Sequence, residues 1–404
     1  MQTERRSDIS INLSTFFLKN IGLWIAEDSV EKRWMKLMLV FTTWNSMFAS
    51  VIILRDLYFT LLYKGDILYV VTNLLTVVMG LLKICIILTH KNEFLNLIIY
   101  MQQNFWNVDY DFCEREVLNN CKRTCVFFVS CVTSIGICAM LSYVITPILE
   151  NIGKNQSERI FLFNVWINLP LYLSPYYEIL FVIEVISMYY VAVCYFCFDN
   201  IFCILVVHLA GQFRILRYRF TKLCNLEHET SEVTLTKHAY EFYAKLKMYI
   251  RHHQLLINYC KRLETVYTMI IFGQVLVFSV LICLFAYQGL LAAAPIARRT
   301  IFIFLLIGSM ALLFMFTYGC DGVIEHSDEV ALGAYSALWT TMPMNKSGRM
   351  LRNDLILVIE RSRRVCCLTA NGFFPISLET YTTILSTAMS YFTLLRNRLE
   401  NADD

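Results

Sequence analysis

The chain has 404 residues, 57% of them hydrophobic and 17% charged, with a formal net charge of +3. That balance is too apolar for a soluble protein of several domains and too near neutral for a nucleic-acid binder; it fits an all-α polytopic membrane protein. The first long apolar run begins near Leu37 at full spanning length, so no cleavable signal peptide is expected.

In chain order, apolar runs fall at 37–54, 67–89, 124–149, 179–207, 265–297 and 300–320, and a terminal helix spans 375–397. These predict seven transmembrane helices in a single membrane domain over 1–404. Lys83 lies in the second run, and Glu184 and Asp199 lie in the fourth. Lys83 and Asp199 sit at comparable depth, which fits either a mutual pair or a lysine that snorkels to the headgroups. Glu184 lies near the other mouth, as a ligand contact or an interfacial group.

The connections set the orientation. Segments 1–36, 90–123, 208–264 and 321–364 carry 26 of the 35 Lys and Arg residues, and the opposite side carries 8. The positive-inside rule then puts the N-terminus in the cytoplasm and the C-terminus outside. No cysteine falls in the outer connections 55–66, 150–178 or 295–299, or after 375, so no structural disulfide is expected. The connection 150–178 holds Asn155-Gln156-Ser157, an N-glycosylation sequon on the expected outer side.

The longest charged stretch, 208–264, places Tyr243, Leu246, Ile250 and Ile257 on one apolar helical face. It reads as a cytoplasmic extension of the fifth span that packs on its own chain or on a neighbouring subunit. The stretch 321–370 is similar. Val330, Ala334, Ala337 and Leu338 mark one helical face, and Leu351, Leu355, Val358 and Ile359 mark a second. Arg361, Arg363 and Arg364 mark the headgroup layer.

Asn371-Gly372 signals a turn that breaks the last helix into a cytoplasmic and a membrane part, and Pro375 fits the first position of the membrane part. From Pro375 to Asn397 is 23 residues, about 34 Å of helix. Glu379, Thr383, Ser386, Ser390, Thr393 and Asn397 follow at steps of 4, 3, 4, 3 and 4, in one stripe. A hydroxyl-lined stripe must face protein or water rather than lipid. It fits a pore wall, or polar glue between packed spans.

No Gly-rich phosphate loop, nucleophile elbow or metal-spaced His/Cys/Asp set is present, so neither an enzyme nor a cofactor is expected. His252, His253 and His326 are read as solvated. A G-protein-coupled receptor has the opposite orientation, and its acidic-Arg-Tyr triplet after the third span and its outer-loop disulfide are missing. A seven-span metabotropic chemoreceptor nonetheless stays as the alternative reading. A transporter would show paired helix breaks, whereas the one clear break here is at 371–375.

At its C-terminal quarter the chain resembles insect odorant receptors. The resemblance rests on Ser327, Ala331, Ala334-Tyr335, Trp339, Pro343, Ile359-Glu360-Arg361-Ser362, Leu368-Thr369-Ala370 and above all Ser390-Tyr391-Phe392-Thr393-Leu394-Leu395. These residues lie within 318–397, and the ending differs from the Thr-Tyr…Gln-Phe ending of gustatory receptors. The resemblance implies a ligand-gated, non-selective cation channel of four subunits in the plasma membrane of olfactory sensory neurons. Each last helix would line one central pore, above an anchor domain of cytoplasmic helices. The chain lacks the enlarged fourth connection and Gln-bearing ending of the Orco co-receptor, so it resembles an odour-tuning subunit working with Orco in a heterotetramer.

In that scheme Leu394 falls at a hydrophobic gate, and Asn397 stands where the co-receptor has a pore-facing Gln. Arg398 departs from the pattern, standing where the family often has an apolar residue, and sets a positive charge near the mouth of a cation pore. This bears more on a homomer than on one or two such chains in a heteromer. The outer halves of the spans offer mainly aliphatic, aromatic and Met side chains, which suits a small, volatile, apolar ligand. Its expected contacts are Tyr69, Asn73 and Val77 on the second span, and Gly136, Met140 and Tyr143 on the third. Phe181 and Met188 on the fourth, Tyr287 on the fifth and Phe302 on the sixth complete the set. Gly136 beside Met140 supplies the concavity.

Overall fold

A helix rises about 1.5 Å per residue and the hydrocarbon core is about 30 Å thick, so the length of each helix limits how much of it a membrane can hold. The computed structural model describes residues 9–26, 28–63, 65–106, 108–155, 159–166, 172–224, 232–292, 294–342 and 344–403, with backbone alone over 232–238, at 341 and over 398–403. Among these the helices are α1 (Ile9–Ile21), α2 (Ser29–Tyr63), α3 (Ile67–Thr89), α4 (Lys91–Met101), α5 (Phe112–Glu150), α6 (Tyr176–Thr221), α7 (Glu232–Ala286), α8 (Ile296–Ser336), α9 (Lys346–Ser362) and α10 (Leu378–Asp403). Single π turns, Gln102–Trp106 and Tyr287–Leu291, continue α4 and α7. Strand-like pairing among the described residues is confined to one isolated bridge, Thr369 to Pro375.

Six helices, α2, α3, α5, α6, α7 and α8, are long and apolar enough to cross a membrane. With 26 residues α10 has the length, but it is not among them. The 55 residues of α7 span about 82 Å. Its first part carries Glu241, Lys245, Lys247, Arg251, Lys261 and Arg262, so that part projects beyond the hydrocarbon.

The core is built around α6. Every residue from Phe196 to Phe213 is buried, as expected of a helix that is apolar on all sides, and α8 and α5 pack most extensively against it. Its few polar side chains find partners. Asn200 Nδ2 donates to Thr133 Oγ1 at 3.2 Å, and Gln212 Nε2 donates to Tyr110 Oη at 3.0 Å. Close approach of α8 to α6 requires Gly333, where an added Cβ would lie 2.7 Å from the backbone oxygen of Arg217. Glu114 takes part in the capping box that starts α5 and also pairs with Arg219 of α6 at 2.6 Å.

Several sequence expectations need correcting. Pro375 does not open a helix: it pairs with Thr369, and α10 starts at Leu378. The reason is a hairpin rather than a kink. Asn371 and Gly372 both take positive φ, and Ala370 N donates to Phe374 O and Ile376 N to Leu368 O. The fifth span stops short of 297, because α7 ends in its π turn and α8 begins after Pro295. Leu338 lies past the end of α8 and is exposed, whereas Val330, Ala334 and Ala337 are buried. His253 is buried rather than solvated, with its ring 6.4 Å from that of Phe213 on α6, and His252 is half-buried with its ring 6.2 Å from that of Phe105. On α7 Leu246 is buried within its own chain, and Tyr243, Ile250 and Ile257 pack at the edge of the same core.

Candidate ligand pocket and the terminal helix

Between α3, α5, α6 and α8 lies a cavity of about 120 Å³ with an almost wholly apolar wall. Apolar cavities near 150 Å³ take up benzene, so this one has the scale of a small volatile. Six of the ten residues expected from the sequence line it: Asn73 and Val77 from α3, Gly136, Met140 and Tyr143 from α5, and Met188 from α6. Gly136 makes room, since an added Cβ there would touch only the Phe196 ring, at 3.7 Å. Tyr143 Oη donates to Asn73 Oδ1 at 2.7 Å and ties the two polar wall residues together.

The other four do not line it. Tyr69 and Phe302 pair edge to face at 5.8 Å, with the Arg298 guanidinium 4.6 Å over the Tyr69 ring. Phe181 stacks on Tyr177, and Tyr287 belongs to the π turn after α7. No described residue of α7 reaches the cavity. Sequence reasoning missed Thr76, Ile135, Tyr195, Gly308, Ser309 and Phe163, among others. Thr76 lies one helical turn from Asn73 and Gly308 is a lone glycine in an apolar span, so both were findable. Phe163 lies in the α5–α6 connection, where no periodicity points anywhere.

Beneath the cavity the two buried charges meet. Lys83 Nζ donates to Asp199 Oδ2 and to the backbone oxygen of Tyr195, each at 2.6 Å. Gln274 Nε2 of α7 reaches both oxygens of Asp199 at 2.9 and 3.0 Å. Both charged side chains are 1% exposed, so the lysine is paired and does not snorkel. Its ammonium also lies 4.6 Å from the centre of the Tyr195 ring, which forms part of the cavity wall. Glu184 is buried as well, and its Oε2 accepts from Leu162 N at 3.1 Å.

The hairpin ahead of α10 is clamped to α7. Thr268 Oγ1 donates to Thr369 O at 3.2 Å and accepts from Asn371 N at 2.9 Å, and the Thr369 hydroxyl donates to the Glu264 carboxylate. Leu378 N, at the start of α10, donates to Asp321 Oδ1 of α8 at 3.3 Å. Past this anchor α10 buries Thr380, Ile384 and Ala388. The whole polar stripe, Glu379, Thr383, Ser386, Ser390, Thr393 and Asn397, is exposed on the surface of the chain, and Leu394 is 57% exposed. The Arg398 side chain lies outside the described residues, as do Gln156 and Ser157 of the sequon, whose Asn155 is exposed. All fifteen cysteines carry free thiols. Elsewhere Glu325, His326 and Glu329 bring ligand atoms within 4.8 Å of one another, but Glu329 is already engaged with Arg217 at 2.8 Å and with His326 at 2.9 Å.

A family model described as 7tm Odorant receptor matches residues 65–389. The chain belongs to the insect odorant receptor family. The receptor is 25% identical over 355 residues to odorant receptor 13a of Drosophila melanogaster, covering 82% of this chain and 81% of that one. It superimposes on the olfactory receptor OR5 of Machilis hrabei with a TM-score of 0.79 at 14% identity, over 95% of this chain and 97% of that one. Against OR5 in complex with eugenol the TM-score is 0.80 at 13% identity, over 96% and 97% of the two chains. At that identity the likeness is one of fold. The receptor is thus a multi-pass membrane protein of a receptor family rather than an enzyme family.

Proposed function

We propose that this receptor is an odour-tuning subunit of a ligand-gated, non-selective cation channel that works with the Orco co-receptor in a heterotetramer, α10 being the seventh span. The observation that carries this reading is the exposed polar stripe of α10. Its own chain does not cover it, and hydrocarbon offers no partner to Glu379, Asn397 or the remaining lone pairs of the hydroxyl oxygens, so another subunit or water suits it better than lipid. The hydroxyls also point the right way for cations. Thr383, Ser390 and Thr393 donate their hydrogens back to the carbonyls of Glu379, Ser386 and Ser390 at 2.9 Å each. That leaves oxygen lone pairs facing outward.

In this reading the N-terminus is cytoplasmic, the C-terminus is outside, and the charged parts of α7, α8 and α9 form the anchor below the membrane. Leu394 closes the pore by dewetting. The cavity takes a small, mostly apolar volatile of the kind that OR5 binds as eugenol. The ligand binds more tightly in the open state, as it must in order to shift the gate.

Patch-clamp recording of the chain co-expressed with Orco tests this. Leu394→Ala is expected to raise the basal current in the absence of odour, and an unchanged resting current would remove Leu394 from the gate. Odour currents that persist with GTP turnover blocked would exclude the metabotropic alternative.

A further inference from the structure

The cavity is bounded by four helices and also by the α5–α6 connection, whose residues 159–166 are fastened at three points. At the first, Asn151 Nδ2 donates to Ile160 O at 2.9 Å and Ile160 N returns a bond to Asn151 Oδ1 at 2.7 Å. At the last, Trp166 Nε1 donates to Asp56 Oδ1 at 2.9 Å while its ring stacks on Phe59 at 4.9 Å. Between them Glu184 Oε2 accepts from Leu162 N at 3.1 Å. The next residue is Phe163, which lines the cavity with its ring 6.3 Å from that of Tyr143.

Glu184 is 1% exposed, and among the described residues no basic group pairs with it. A buried carboxyl group with no basic neighbour depends on hydrogen bonds from the backbone around it. Here its partner is the backbone just before Phe163, so the contact it makes fixes where that ring stands. We infer that Phe163 is a specificity-determining residue, a roof over the cavity supplied from outside the helices, and that Glu184 is the positioning residue that holds it there. The inference rests on the cavity being the odorant site. Truncating the roof, or releasing it, admits longer ligands.

The test is the response of the Orco-containing complex to a homologous series of straight-chain alkyl acetates. The readout is the ratio of half-maximal concentrations for long over short members. Phe163→Ala is expected to shift that ratio about tenfold in favour of the longer members, the discrimination carried by one methylene in an apolar pocket. Glu184→Leu shifts it in the same sense. Glu184→Gln, whose amide oxygen still accepts from Leu162 N, keeps the wild-type ratio. Loss of surface expression alone would lower the maximal current and leave the ratio where it was.

Gly136→Leu fills the cavity from α5 and serves as the reference. If it moves the ratio and Phe163→Ala does not, the roof is overturned and the pocket stands. If neither moves it, the reading of the cavity falls, and the inference with it. If Glu184→Gln behaves like Glu184→Leu, the positioning role is overturned.

Discussion

Lys83 and Asp199 are each 1% exposed and 2.6 Å apart, so neither tolerates the loss of the other. Removing one partner of a buried pair leaves an uncompensated charge and costs about 3–5 kcal/mol, whereas replacing both with apolar groups is often close to neutral. Lys83→Met is therefore expected to lower the melting temperature and surface expression sharply, and Lys83→Met combined with Asp199→Leu to recover most of both. A double variant no better than the single one would mean that the pair does not govern stability. The matching depth of the two charges was legible in the sequence, but the choice between pairing and snorkelling was not. The contacts that accompany the pair, Gln274 of α7 on the Asp199 carboxylate and the Tyr195 carbonyl on Lys83, come from parts of the chain far from Lys83. Phe163 was beyond reach for a similar reason, since hydrogen bonds distant in sequence hold it.

At the scale of elements, periodicity carried the reading where one face is buried and failed where turns are set by tertiary contacts. The steps of 4 and 3 along α10 identify a single stripe, and that stripe lies on the exposed side. The start of the helix was misplaced by three residues because the Asn371-Gly372 hairpin is closed by bonds to Thr268 and Glu264 of α7. Such bonds leave no local signature. The charged part of α7 supplies a pH-dependent contact. Burial against α6, with the Arg361 guanidinium nearby, pushes the His253 imidazole down to about 4.

The folded state therefore holds His253 neutral, while the unfolded chain takes up a proton below its usual value near 6.5. Its contribution is fully present above that pH and is lost as pH falls from about 6.5 towards 4, by about 2 kcal/mol at pH 5. Thermal melts of the purified complex should show a melting temperature that drops across that window. Burial lowers the neighbouring His252 to about 4 as well. His253→Leu should therefore make the drop shallower without abolishing it, and an equal slope in both proteins would assign the pH dependence elsewhere.

For the whole molecule, composition and apolar run length were enough to find the six long helices, because hydrocarbon thickness dictates them. Run length alone leaves α10 out of that set, because the polar stripe lowers its mean hydropathy. Six cavity-lining residues were legible because they recur at helical spacing in the spans that became α3, α5 and the first part of α6. Phe181 and Tyr287 do not line the cavity, because Phe181 stacks on Tyr177 and Tyr287 lies in the π turn after α7, and no sequence pattern marks either placement.

The proposed pore depends on the α10 stripe meeting water in the assembled channel. Cysteine accessibility measures this directly in the complex with Orco, using a membrane-impermeant thiosulfonate during odour stimulation. Ser386→Cys and Ser390→Cys should lose odour-evoked current on exposure to the reagent. Ala388→Cys, only 2% exposed at a position turned against its own chain, should respond no more than the unsubstituted channel. Modification at Ala388→Cys, with Ser386→Cys and Ser390→Cys untouched, would contradict the account.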